Sequence, residues 1–488
     1  MASQAEQLAQ SFNFGNIARS SDLLRRVWFT LLCLLVFRLG IQIPIPGVDP
    51  LAVQSYIDQA AAGTMIGQLN LFTGGALQNF SIFTLSIIPY ISASIIVQLM
   101  RAMIPKWNEL HKEGEAGRRK LNQYTRYLTV ALAVVQALGI ARAAEGLGLI
   151  GADLGEQGVQ LFRITAITSL TGGTMFLLWL GEQIQKRGIG NGVSLLIFVG
   201  IIANLPGGLF NLFATGSGVN TTVTGGAGTS IAGNLGLVLL ILLVGAGLLL
   251  LVVYAERSFR KVPIQYPDRQ MGMKQFQGDT QYLPLKLNTA GVIPAIFASS
   301  LLFIPGTIDS FTGGAGAASD GEGGIASQIL EQIGVLFGAG SPGFVLLFIA
   351  LIMFFTFFYT SIVFDVKDTA ENLKRNGGFV PGLRPGQQTA AYLDFVLTRV
   401  TVVGAAYLAF VCAAPYLLGF FNASAGGLLF GGTAILIVVA VTIDLIGQVH
   451  GHLVAEHYRT LMQRSGLRGQ TRQRDTKRKK KPRRSASR

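Results

Sequence analysis

The sequence predicts an all-α integral membrane protein with ten transmembrane helices. Half of the 488 residues are apolar and 13% are charged, and the mean hydropathy is +0.49. Uncharged apolar runs of 20 or 21 residues recur at Gly236–Ala255, Val345–Phe364 and Thr401–Phe421. A run of that length crosses lipid only as a helix, because its backbone finds no water to bond. Lys and Arg, finally, concentrate in alternate connections between such runs.

In chain order the expected span cores of the first half are Trp28–Gly40, Ser81–Met100, Tyr127–Ala141, Ile164–Leu180 and Gly192–Phe213. Those of the second half are Gly236–Ala255, Leu287–Ile308, Val345–Phe364, Val400–Leu418 and Thr433–Val449. Pro89, Pro294, Pro305 and Pro415 are expected to interrupt spans, and Gly172-Gly173 sits inside one. With the N-terminus inside, the cytoplasmic connections hold 35 of the 39 Lys and Arg, as the positive-inside rule requires. The outer stretches Gln42–Phe80, Leu205–Leu235, Thr307–Gly343 and Pro415–Gly432 hold none. The four remaining residues, Arg38, Arg142, Arg163 and Arg399, lie near span ends, where long side chains snorkel to the interface.

The chain then divides into a cytoplasmic N-terminal segment (1–26), a first half (27–213), an external Gly-rich loop (214–235), a second half (236–449) and a basic cytoplasmic tail (450–488). The second half carries cytoplasmic loops at 256–286 and 365–390. Five spans on each side of Glu256 allow two pseudo-symmetric inverted halves. Both Cys33 and Cys412 lie in apolar runs, which argues against a disulfide framework or a cysteine zinc site.

The net charge of +14 comes mostly from Arg464–Arg488, where 12 basic residues face one acid. Such a run is expected to lack structure through self-repulsion. Its charge suits anionic lipid and ribosomal RNA alike, and composition does not separate them. The stretches "GSGVNTTVTGGAGTS" and "FTGGAGAASDGEGG" read as flexible connectors.

Catalysis finds little footing. His111, His450, His452 and His457 fall in cytoplasmic segments or at a span end. The five-residue spacing of His452 and His457 is a poor match to one helix face, so a metal site is not expected. No phosphate-binding GxxxxGK[ST] occurs. An ion-coupled transporter of small solutes, the alternative reading, would place an acid near the bilayer midplane. Glu182, Asp394 and Asp444 instead lie toward cytoplasmic span ends. Broken helices without ionisable groups point to a pore wall. Isoleucines fall near the middle of several interrupted spans. On composition alone these are ordinary lipid- or helix-facing residues, but a ring of them would make a dewetting neck indifferent to cargo chemistry. A short apolar piece, Thr64–Thr73, stands before Gly74-Gly75; as a helix it would be about 15 Å long, half a membrane.

Several long motifs carry a resemblance. They are "IQIPIPGVDP" (41–50), "LFTGGAL" (71–77), "SIIPYISASIIVQLM" (86–100), "KEGEAGRRKLNQYTRY" (112–127) and "QIQKRGIGNGVSLLIF" (183–198). "YLPLKLNTAGVIPAIFASS" (282–300), "DTAENLKRNGGFVPGLRPG" (368–386) and "GGTAILIVV" (431–439) complete the series. In this order, over about residues 22 to 470, the chain resembles the bacterial SecY family, the central channel subunit of the Sec preprotein translocase. The resemblance implies a two-halved channel in the cell inner (cytoplasmic) membrane that conducts unfolded preproteins and releases hydrophobic helices sideways into lipid. It implies a pore ring of Ile87, Ile91, Ile197, Ile296 and Ile437. About Gly63 to Gly75 becomes a re-entrant plug, with Met65, Ile66, Leu69, Leu71 and Phe72 under the ring and Gly74-Gly75 as its joint. A lateral gate is implied between the second and seventh spans, closed by a buried hydrogen bond between Gln136 and Asn288.

The resemblance also implies docking of the SecA motor and the ribosome on Arg257, Arg260, Lys261, Arg269 and Arg384. SecE-like and SecG-like subunits, signal peptides and membrane lipids are its other implied partners. No cofactor and no catalytic residue are implied; SecA spends ATP and the ribosome GTP.

Overall fold

The computed structural model describes residues 21–49, 52–53, 73–146, 148–150, 156–216, 231–266, 269–271, 274–276, 280–311, 342–421 and 432–479. The first half consists of α1 (Ser21–Gly40), α2 (Ile88–Met103), α3 (Pro105–Lys112), α4 (Glu115–Gly146), α5 (Glu156–Arg187) and α6 (Gly192–Gly216). Next come α7 (Ile231–Arg257) and four strands, β1 (Phe259–Gln265), β2 (Arg269–Met271), β3 (Lys274–Phe276) and β4 (Thr280–Lys286). The chain continues with α8 (Ile293–Phe311), α9 (Pro342–Val363), α10 (Val366–Arg375), α11 (Gln387–Phe421) and α12 (Gly432–Lys479). Among the described residues, five helices are long and apolar enough to cross a membrane, or six if α2 and α3, bent by 101°, are taken as one span.

Two expected spans begin later than their apolar runs. Residues 81–87 form successive tight turns, with Thr84 N–H donating to Ser81 O (3.0 Å), Ser86 to Phe83 (2.8 Å) and Ile88 to Leu85 (3.3 Å). Phe80 and Ser86 take left-handed φ of 43° and 50°, which closes the turns and prevents helix. Helix α2 therefore starts at Ile88, and α8 at Ile293, each with its proline as the second residue. Pro89 and Pro294 thus open helices, a position that needs no N–H, rather than interrupting them.

Pro305 lies within α8 and Pro415 within α11, and Gly172-Gly173 leaves α5 continuous. The use of Gly173 is close approach: a Cβ there would stand 2.1 Å from Ile82 O, so the turns of 81–87 pack directly on the α5 backbone. Phe83 fills the space beside it, stacked between Phe37 and Phe176 at 6.1 and 6.0 Å.

Two apolar cores result. One joins α1, α5 and α6 to the start of α12 through Phe37, Leu177, Ile184, Leu196 and Ile437. The other joins α8, α9 and α11 through Phe297, Phe348, Ile352, Leu408 and Cys412, with Ile95 of α2 packed against it. Helix α8 lies against α2, α4 and α9, with Phe297 in the second core and Ile296 packed against the first, and so forms the seam between the two.

The loop after α7 is a β-hairpin, which the all-helical expectation did not contain. Strands β1 and β4 pair antiparallel from Phe259↔Lys286 to Gln265↔Thr280, and β2 pairs with β3 beyond them. Val262 and Leu285 point inward onto Leu393 and Val396 of α11, so the hairpin is seated by burial as well as by its ladder. The basic segment expected to lack structure continues α12 as far as Lys479; it is rich in Arg, with Lys and Gln, all strong helix formers. The two Gly-rich connectors lie almost wholly outside the described residues.

Candidate pore and gate

The five isoleucines come from four separate segments of the fold and meet at one cavity. Ile87 precedes α2, and Ile91 sits one turn along it, its N–H donating to Ile87 O at 3.1 Å. Ile197 is in α6, Ile296 in the first turn of α8 and Ile437 near the start of α12. Together with Ser86, Ile88, Ser299 and Ser300 they line a space of about 20 Å³, room for little more than one water. Ile87, Ile197 and Ile437 are buried. The Ser299 hydroxyl donates to its own helix at Ile296 O (2.9 Å), so the neck keeps its apolar character. Such a neck repels ions because nothing in it replaces their hydration. It is held by side-chain contact alone, and rotamer changes can widen it without breaking a hydrogen bond.

Below α2 the chain enters through Gly74 and Gly75, at φ +72° and +88°, backbone shapes that disfavour any Cβ. Gly74 is also wedged against α6: a Cβ there would stand 2.7 Å from Gly200 Cα. The half-buried Arg38 donates from Nη1 to Gly74 O at 2.7 Å. Sequence reasoning treated Arg38 as a snorkelling residue and missed this contact. The available signal was its isolation as the one basic residue bordering a base-free outer segment. Met65, Ile66, Leu69, Leu71 and Phe72 lie outside the described residues.

The expected bond between Gln136 and Asn288 is not formed. Asn288 is 4% exposed. Its Nδ2 donates to Glu256 Oε1 at 2.7 Å and to Gly291 O at 3.0 Å, which commits both amide hydrogens. Its Oδ1 is buried without a donor, at a cost of about 1–3 kcal/mol. Gln136, half-buried on α4, makes no bond to it. The physical reason is the hairpin: carrying the register Phe259↔Lys286 two residues further brings Asn288 beside Glu256. A bond from Leu287 N–H to Ser258 O (3.0 Å) closes that base. Glu256 was not among the expected site residues, because a hairpin was not expected.

The cations expected to dock partners lie at this hairpin and on the loop after α10. Arg257 ends α7 exposed, and Arg260 and Lys261 are exposed on β1, with Lys261 Nζ 5.6 Å from the Phe259 ring centre. Arg269 begins β2. Arg384 stands exposed in a turn between Gly382 and Gly386, both at positive φ. Its backbone is fixed on both sides: Thr389 Oγ1 donates to Arg384 O (3.0 Å), and Arg384 N–H to Gln388 Oε1 (3.3 Å). These two loops are joined by reciprocal bonds between Gln265 and Phe379 at 2.9 and 3.0 Å.

On the first-half side, Arg101 Nη1 and His111 Nε2 stand 3.2 Å apart across the α2–α3 bend. Burial first, then the Arg101 and Arg118 charges, pushes His111 below the ordinary imidazole range. Neutral His111 therefore accepts from Arg101.

A family model described as SecY matches residues 81–446. The protein translocase subunit SecY of Pseudomonas aeruginosa is 44% identical over 456 residues, covering 92% of this chain and 95% of that protein. The Escherichia coli K12 protein of the same name is 43% identical over 455 residues, covering 92% and 96%. Among solved structures, one titled "The structure of a protein conducting channel" aligns with TM-score 0.54 at 18% identity, covering 88% of this chain and 93% of that one. That likeness concerns the fold.

Proposed function

The chain belongs to the SecY family, and on that premise we propose that it is the channel subunit through which unfolded preproteins cross the cytoplasmic membrane. The observation that carries the reading is the convergence of Ile87, Ile91, Ile197, Ile296 and Ile437 on one narrow apolar cavity. A neck of that kind seals against ions while offering a polypeptide no chemistry to prefer. Ten spans, both termini cytoplasmic, a plug hinged at Gly74-Gly75 and lateral release of hydrophobic helices between α2 and α8 belong to the same reading. The joint at α6 and the place of α8 at the seam support the last two.

SecE-like and SecG-like subunits are its partners in this reading. SecA and the ribosome dock on the cytoplasmic hairpin and on the turn that holds Arg384, and the basic tail contacts anionic lipid or ribosomal RNA. The exposure of Arg257, Arg260, Lys261 and Arg384 supports the docking assignment. The test is translocation of a secretory precursor into vesicles holding this chain with SecE and supplied with SecA and ATP. Protease-protected precursor is expected; its absence from vesicles holding folded protein would overturn the reading.

A further inference from the structure

The segment 287–292, between β4 and α8, is where the seam helix is hinged to the second core. Asn288 is its buried centre, and Glu256 is the only side chain, among the described residues, to which Asn288 bonds. The other amide hydrogen goes to Gly291 O, inside the same turn, where Gly291 takes a φ of +64°. The third wall is α11. Gly404 comes so close that a Cβ there would stand 2.5 Å from Leu287 O, leaving the segment no room to slide. Asn288 thus folds its own turn with one hydrogen and hands the other to the end of α7, within the same core. Its Oδ1 receives no hydrogen bond, so no side chain of α2 or α4 donates to it.

From this geometry we propose that Glu256 is a positioning residue for the gate: it pins the base of α8 to α7, so that α8 opens by pivoting about Asn288 rather than by leaving its core. The proposal rests on the reading of α8 as a gate helix. A bond within one core resists displacement of the α8 base but not rotation about it. The contacts from α8 to α2 and α4 are side-chain packing that rotation can release. Losing the pin frees the base as well, and the closed arrangement should become less populated.

The test is spin-label distance measurement on the full chain in nanodiscs of Escherichia coli polar lipid, in a Cys33→Ala/Cys412→Ala background. Labels go at Val135 on α4 and Leu301 on α8, both exposed, with Val135 and Trp179 on α5 as the control pair. Glu256→Ala and Asn288→Ala are each expected to raise the longer-distance population of the first pair about tenfold, leaving the control pair unchanged. Glu256→Gln keeps an acceptor and should match the parent; the double variant should go no further than Asn288→Ala alone, because that change already removes the bond to Glu256. Should Glu256→Ala fail to fold, Glu256→Asp, one methylene short of Asn288, takes its place with a smaller shift. A parental distribution in Glu256→Ala or its Asp substitute, additive effects in the double variant, or movement of the control pair would each overturn the proposal. No precursor enters this measurement, so its outcome is separable from that of the vesicle assay.

Discussion

Replacing Gly74 by alanine should unseat the joint below the pore, and Gly75 supplies the internal standard. Both residues sit at positive φ, +72° and +88°, so alanine at either costs about 1–2 kcal/mol of backbone strain. Their surroundings differ. At Gly75 the nearest atom to an added Cβ is Asn204 Oδ1 at 3.5 Å, an ordinary contact. At Gly74 it is Gly200 Cα at 2.7 Å, a backbone atom of α6 that cannot rotate aside. Overpacking of that kind adds roughly 1–3 kcal/mol. The segment can relieve it by lifting off α6, which also strains the bond from Arg38 to Gly74 O. The difference between the two variants is thus about 1–3 kcal/mol, a factor of roughly 5 to 150 in the unseated population. Ion flux through proteoliposomes without precursor reads that population directly. Gly74→Ala should leak strongly and Gly75→Ala weakly. Equal leaks from both, or a larger one from Gly75→Ala, would refute the argument that contact with α6 holds the joint.

Other variants test other parts of the site. Ile197→Asn puts an amide without a partner into the neck; it should hydrate the constriction and raise resting ion leak, as measured in the same vesicles. Arg38→Met removes the donor to Gly74 O and should leak in the same direction as Gly74→Ala, by about tenfold, since a bond from a charged donor is worth about 1.5–3 kcal/mol. Arg384→Glu should lower SecA-driven translocation about tenfold while membrane insertion and stability stay parental, since the side chain is exposed and its turn is held by the backbone. His111 sets a pH dependence. Its folded-state pKa lies below its unfolded value of about 6.5, so its stabilising contribution is complete above that value. The contribution is lost as pH falls toward the folded value, because the unfolded chain binds the proton first. Thermal unfolding between pH 8 and 5 should show the parent losing stability that His111→Gln does not lose.

The long elements were readable because their physics is local. Uncharged runs such as Gly236–Ala255 and Val345–Phe364 specify helices by composition alone, and α7 and α9 extend over nearly those residues. The turns at 81–87 were not readable. Ser81 to Met100 is uncharged throughout, and what stops the helix is packing of Phe83 beside Gly173, more than 80 residues away. The hairpin was hidden for another reason. Val262, Ile264, Leu283 and Leu285 alternate with polar residues over stretches too short to stand out beside twenty-residue spans, and Pro263 and Pro284 speak against strand. Missing the hairpin meant missing Glu256 and sending the Asn288 amide to Gln136. The isoleucines carried no sequence signal that distinguishes a neck from a lipid face. Only the family resemblance singled them out, and their meeting is a property of four separate segments.

The Gln265–Phe379 bridge makes one stiff member of the loops after α7 and α10. Flexible tethers absorb a pull as lost entropy before they pass any on; a strand ladder has no such slack. A machine that grips the turn around Arg384 therefore also tugs β1, and β4 delivers that displacement without delay to Asn288. In the function proposed above, grip and opening would become a single stroke, with the timing of the channel set by when a motor holds on rather than by when a loop happens to tighten.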